Sequence, residues 1–150
     1  MVNSSKGDAV FTYFNEIGII SQLSTVLFEQ SLPEGLTLSQ FSVLNWFVRV
    51  DVEATPGRLA RAFQVTGGAM TNTLKKLESK GLVKVEPDKN SGRRKRVTMT
   101  RKGNQVRDEA IKAVAPLLRE FSERFPVEKL GRQTRQLAKV REYLDERRAE

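Results

Sequence analysis

TGGAMTNTLKKLESKGLVKVEPDKNSGRRKRVTMT, residues 66–100, is the stretch that decides how this chain folds. Thr66 has the chemistry of a helix N-cap. Behind it Met70, Leu74 and Leu77 recur at helical spacing, while Gly67, Gly68, Thr71, Asn72, Lys75 and Lys76 take the opposite side of a helix that runs to Lys80. Gly81 is a C-terminal stop. Leu82–Glu86 reads as a strand with Val83 and Val85 on one face, and Asn90-Ser91-Gly92 carries turn chemistry. Arg93–Thr100 returns as a second strand, with Val97 and Met99 inward and Arg93 and Lys95 continuing that face out to the tip.

Working outward, two further helices precede this unit. Thr37-Leu38-Ser39-Gln40 matches a capping box and opens a helix from Leu38 to about Val50 that buries Phe41, Leu44, Phe47 and Val48. Thr55-Pro56 is a cap followed by proline at the first helical position, opening a short helix to about Phe63. A longer amphipathic helix spans residues 8–31 and ends before Pro33 and Gly35. Beyond Thr100 a long helix runs to Phe125 through Pro116, Pro126 breaks it, and a last helix covers about Val127–Arg148, its basic end (Glu146-Arg147-Arg148) expected to fray. The fold class is mainly α with a small β-hairpin: a winged helix-turn-helix flanked by N- and C-terminal helices, all in one domain over residues 1–150. Its nucleic-acid-binding core is expected at about residues 36–100, between dimerisation helices at about 8–31 and 101–148.

Charge localises the function. Lys75 to Arg107 holds twelve Lys/Arg against Glu78, Glu86 and Asp88, a net of +9 where the whole chain nets +8. The positive field therefore comes from one helix and hairpin, a surface suited to an array of phosphates. Catalysis has little to work with. The chain has no His and no Cys, so it lacks the commonest general base, thiolate chemistry and the usual metal ligands. Asp51, Glu53, Asp108 and Glu109 show no paired spacing for acid–base work. No enzyme activity, metal or cofactor is expected. The polar N-terminus and the lack of a long apolar run make the cytoplasm the expected compartment, at the nucleoid, with no membrane partner.

A winged helix-turn-helix sets the polar face of its second helix in the major groove and reaches flanking DNA with the hairpin. Thr66, Gly67 and Gly68 open that helix where backbone N–H groups can approach DNA. Thr71 suits a base edge or a thymine methyl, Asn72 suits adenine, and Lys75 and Lys76 suit phosphates. Lys89, Ser91, Arg93, Arg94 and Arg96, with Lys95, load the wing, where arginine suits a narrow minor groove. The stripe Val10, Phe14 and Ile17, with Leu117, Leu118, Phe121, Phe125 and Leu137, reads as a dimer seam, because terminal helices this long have little else to cover them.

Leu59-Ala60, Thr66–Asn72, Leu77-Glu78-Ser79-Lys80-Gly81-Leu82-Val83 and Val97-Thr98-Met99-Thr100-Arg101-Lys102-Gly103 together resemble the multiple-antibiotic-resistance regulator (MarR) family. The motifs cover about residues 35–105, and the order of elements covers the whole chain. The resemblance implies an obligate homodimer on pseudo-palindromic double-stranded DNA, usually a repressor, and commonly released by a small aromatic effector. It makes the outer helices the dimer interface, and it places Trp46 on a helix that lines the effector cleft, with Arg49 nearby to clamp a carboxylate. Two positions depart from the family pattern. Ser91 stands where the wing often carries an aspartate that holds the arginine, and Asn72 stands where an arginine often follows the threonine, which favours adenine over guanine there. The same basic patch would also serve a sequence-tolerant or chromosome-organising nucleic-acid binder, or a winged domain used as a protein adaptor.

Overall fold

The capping box forms as its sequence requires: Gln40 N donates to Thr37 Oγ1 and Thr37 N to Gln40 Oε1, both at 3.2 Å. Thr37 thereby opens α2 (Leu38–Arg49). In this computed structural model, which describes residues 2–148, α2 is preceded by α1 (Val2–Glu29) and a short 3-10 turn at Pro33–Gly35. Glu29 at the end of α1 accepts a hydrogen bond from Leu38 N, so the end of one helix satisfies an orphan donor of the next. A two-residue strand, β1 (Glu53–Ala54), leads to α3 (Pro56–Ala62), capped by Thr55. Gln64, in the left-handed region at φ 54°, turns the chain into α4 (Gly67–Ser79), and Gly81 at φ 72° ends that segment. Then come β2 (Val83–Asp88), β3 (Ser91–Met99), α5 (Arg101–Arg124) and α6 (Val127–Arg148).

The core is shared by α2, α3, α4, the sheet and the first half of α5. Leu36, Leu44, Leu59, Leu77, Leu82, Val43 and Val97 are its fully buried members. Each large aliphatic side chain so buried stabilises the fold by roughly 1.5–3 kcal/mol. The only buried polar side chain among the described residues, Gln40, is satisfied by the capping box.

The joint between wing and α5 explains the Thr100–Gly103 motif. Thr100 Oγ1 donates to Gly81 O at 2.6 Å and accepts from Gly103 N at 3.0 Å, while Thr100 N donates to Leu82 O at 3.0 Å. Gly103 is buried, and a Cβ there would stand 2.1 Å from the Leu82 carbonyl oxygen. The first turn of α5 therefore packs directly on the strand entrance, and only glycine permits it.

Four expectations are corrected. The sheet has three strands in the order β1-β3-β2 rather than two, because Glu53 and Ala54 pair antiparallel with Thr98 and Val97. Two residues are too short to leave a period-two pattern. Val48 is exposed and Val43 is buried in its place, since the inner face of α2 follows 40, 43, 44 and 47, and residue 48 is rotated off it. The turn at the wing tip is Lys89-Asn90, with Asn90 N bonded to Asp88 Oδ1; Ser91 already belongs to β3 and pairs with Asp88, while Gly92, Arg93 and Arg94 bulge before Lys95 meets Pro87. The basic C-terminal turn does not fray through Arg148: its guanidinium donates to Gln64 O at 2.9 Å and pairs with Asp145 at 3.3 Å. In addition, α1 starts earlier than residue 8 and stops at Glu29.

Candidate nucleic-acid interface

Helix α4 is amphipathic in the sense the sequence requires. Met70, Leu74 and Leu77 are buried, and Gly67, Gly68, Thr71, Asn72, Lys75 and Lys76 are all exposed on the far side. Thr66 Oγ1 accepts from Ala69 N at 3.1 Å, satisfying one N-terminal donor. A Cβ on Gly67 or Gly68 would meet nothing within 4 Å, and neither has a positive φ. No packing or backbone requirement selects glycine at these two positions.

The twelve cations of 75–107 separate into two groups. Five are bonded or paired within the protein. Lys80 donates to the Glu34 carbonyl at 2.8 Å, and Lys102 donates to the Lys80 carbonyl at the end of α4. Lys84 pairs with Glu86 at 2.6 Å. Arg96 is held between Glu53 at 3.3 Å and Glu86 at 3.6 Å, so its guanidinium stitches β1 to β2 across β3. Arg107 donates twice to Asn45 Oδ1, at 3.1 and 2.9 Å. The other seven, Lys75, Lys76, Lys89, Arg93, Arg94, Lys95 and Arg101, are exposed and have no ion pair or side-chain hydrogen bond among the described residues. Six of these seven lie on the outer face of α4 or near the wing tip. The hydrogen bond from Lys84, and then the charge of Arg96, hold the Glu86 carboxyl below its usual range, and Arg58 does the same to Asp51.

Of the expected DNA-contacting residues, eleven lie on the α4 face, at its cap or in the outer wing, and one does not: Arg96 is half-buried at the sheet and paired with two carboxylates. Ser91 is half-buried at the β3 entrance. Trp46 sits at the edge of the core, edge-on to Phe47 at 5.4 Å, with the Arg58 guanidinium 5.0 Å over its ring. Arg49 is exposed. The sequence reading missed Arg58 as the cation over Trp46, and it missed Arg61. Both lie on a short helix outside the basic run, and no sequence signal places them. The seam residues Val10, Phe14, Leu118, Phe121, Phe125 and Leu137 are all exposed, and Ile17 and Leu117 are half-buried. An open, mainly apolar cavity of about 540 Å³ separates α1 from α6, with Phe14, Ile17, Leu137 and Gln64 among its walls. No described helix is long and apolar enough to cross a membrane.

A capped, exposed second helix beside a basic two-stranded wing defines a winged helix-turn-helix protein. Residues 34–94 match the model of the MarR family. A crystal structure of a cysteine-to-serine mutant of MarR from E. coli complexed with operator DNA is similar at 26% identity and a TM-score of 0.79, over 89% of this chain and 96% of that one. The transcriptional regulator BldR from Sulfolobus solfataricus is similar at 29% identity and a TM-score of 0.76, over 90% of this chain and 98% of that one. The S. aureus MepR–DNA complex, at 22% identity and a TM-score of 0.76 over 88% and 97% of the two chains, shares the fold. No curated protein matches the sequence significantly. The chain is thus similar to MarR-family transcriptional regulators, in the family model over residues 34–94 and in fold over most of its length.

Proposed function

We propose that this chain acts in the cytoplasm as a homodimeric, sequence-specific regulator of double-stranded DNA, a repressor released by a small aromatic effector. The observation that carries this reading is the division of the cations: those near the sheet are neutralised or bonded, and those on α4 and the wing tip are not. Exposed, uncompensated charge of one sign is unfavourable in the free protein and favourable against phosphate. Thr66, Gly67, Gly68, Thr71 and Asn72 approach or read the major groove, Lys75 and Lys76 hold phosphates, and Lys89, Ser91, Arg93 and Arg94 engage the flank. Arg96 supports the wing from beneath. Two copies related by a two-fold axis, joined through the outer helices, would present α4 to half-sites about one helical turn, roughly 34–36 Å, apart. The effector is assigned to Trp46 and Arg49; Arg58, whose guanidinium lies over the Trp46 ring, is already paired with Asp51 at 2.7 Å.

Selection from random duplexes by the purified protein tests this. The expected product is an enriched inverted repeat; no enrichment would favour the sequence-tolerant binder. On the selected site, Asn72→Ala should cost roughly 1–3 kcal/mol and relax preference at one base pair per half-site. Lys76→Ala should weaken cognate and random duplexes alike and flatten the salt dependence. Equal losses from both variants on both duplexes would refute the division into reading and holding residues.

A further inference from the structure

Two clefts flank the wing, and their charges differ. One, of about 400 Å³, is lined by Asp51, Glu53 and Asp88 together with Arg58, Lys89 and Arg96, so acids and bases balance. The other, of about 480 Å³, opens between the start of α3 and the outer part of β3, and its charged lining is Arg61, Arg93, Arg94 and Lys95. No carboxylate lines it, and none of these four side chains has an ion pair or hydrogen bond among the described residues. Arg61 is not there by chance of sequence run, since it comes from a different helix and an otherwise near-neutral part of the chain. Its guanidinium folds back along α3, with Nη1 3.7 Å from where a Cβ of Gly57 would stand, an ordinary contact distance.

Four cations converging on one concavity without a counter-charge repel one another, and an anion seated between them removes the repulsion. We infer that this cleft is a clamp for a backbone phosphate of duplex DNA, with Arg61 as a phosphate ligand supplied by α3 and Arg93, Arg94 and Lys95 closing from the wing. The inference rests on the DNA-binding reading proposed above and adds a helix that the sequence did not implicate. An arginine fork suits such a phosphate through paired N–H donors. The clamp would grip the strand between the first helix of the helix-turn-helix and the wing, which fixes how the reading helix is seated and carries no base information itself.

The test is the salt dependence of binding by Arg61→Gln, measured by fluorescence anisotropy on the selected site and on a random duplex of equal length. Arg61 is exposed and its side chain has no hydrogen bond or ion pair among the described residues, so the variant should melt as the parent does. The expected result is a slope of log K against log salt lower by about one per protomer, on both duplexes alike. Arg61→Lys should recover most of the slope, and Lys112→Gln, an equal loss of charge on α5, should leave it unchanged. Ethylation interference should then show one phosphate per half-site whose modification weakens the parent but not R61Q. A parent-like slope for R61Q, or an equal drop for K112Q, would overturn the clamp. Failure of the regulator reading looks different: the parent itself would bind both duplexes equally.

Discussion

The winged body and the terminal arms solve burial in opposite ways. Among the described residues, every buried apolar residue of the core lies between Leu32 and Val114, and there α2, α3, α4, the sheet and half of α5 cover one another. The arms do not. α6 buries no residue, no described side chain of α1 is fully buried, and Phe11, Val10, Leu23, Phe121 and Phe125 stand exposed. Phe121 and Phe125 stack at 4.7 Å while both remain open to solvent. A chain that completes its core in the middle and leaves apolar ridges at both ends has a body able to hold its shape and arms that the second copy proposed above would cover. The two regions also touch beside the proposed reading helix, where Arg148 at the end of α6 donates to the Gln64 carbonyl in the turn before α4.

Breaking the arms should have the largest effect. Leu118→Asp combined with Phe121→Asp places carboxylates on the exposed ridge of α5, where neither residue serves the body. Light scattering should give a monomer, while circular dichroism still reports a cooperative transition of the winged core. Affinity for an inverted repeat should fall about 10²–10⁴-fold, the gain that joining two binding modules confers. A variant that keeps the parent mass and affinity would show that the seam lies elsewhere.

Breaking the body should cost stability first and DNA binding only through it. Gly103→Ala would drive a Cβ to 2.1 Å from Leu82 O and 2.8 Å from Met99 Cγ. The backbone oxygen cannot swing away, so the strand entrance and the first turn of α5 must separate, at about 1–3 kcal/mol or more. Gly131→Ala on α6 is the arm's counterpart: its Cβ would be 3.6 Å from Arg135 Nη1, a side-chain end that can move. Urea unfolding should therefore show a lowered midpoint for G103A and a neutral or raised one for G131A, where removing a helical glycine favours the fold by up to about 1 kcal/mol. Equal midpoints would mean that the packed joint carries no special strain.

Much of this architecture was legible because local chemistry and tertiary role agree. The capping box at Thr37, the caps at Thr55 and Thr66, the stop at Gly81 and the Met70–Leu74–Leu77 stripe each formed where the residues said they would. Strand β1 was not legible, since two residues acquire strand geometry only by pairing with β3. The inner face of α2 was misjudged by one position for the related reason that Val43 and Val48 are alike in a string and differ only in rotation about the helix axis. The candidate interface was located by charge but not resolved by it. A count of twelve cations cannot distinguish Arg96, locked between Glu53 and Glu86, from Arg93 three residues earlier with no acid in reach. Nor can it bring Arg61 to the wing, which is a property of the turn between α3 and α4 and of the sheet register.

The smallest expected effect bears most directly on what the body is for. Gly67 and Gly68 sit in the first turn of α4, where alanine would be the better helix former and where a methyl group would touch nothing in the protein. On stability alone both glycines are the wrong choice, by up to about 1 kcal/mol each. Gly67→Ala and Gly68→Ala should therefore raise the melting temperature. If the glycines are kept so that the α4 N-terminus can approach DNA, the same methyl groups should lengthen a backbone N–H contact to phosphate and weaken operator binding by on the order of 1 kcal/mol, near the net value of one hydrogen bond. Stability and affinity thus move in opposite directions, a signature that neither a packing defect nor a general charge effect produces. Variants that are more stable and bind DNA as tightly as the parent would remove the two glycines from the interface and leave Thr71 and Asn72 to define where the groove begins.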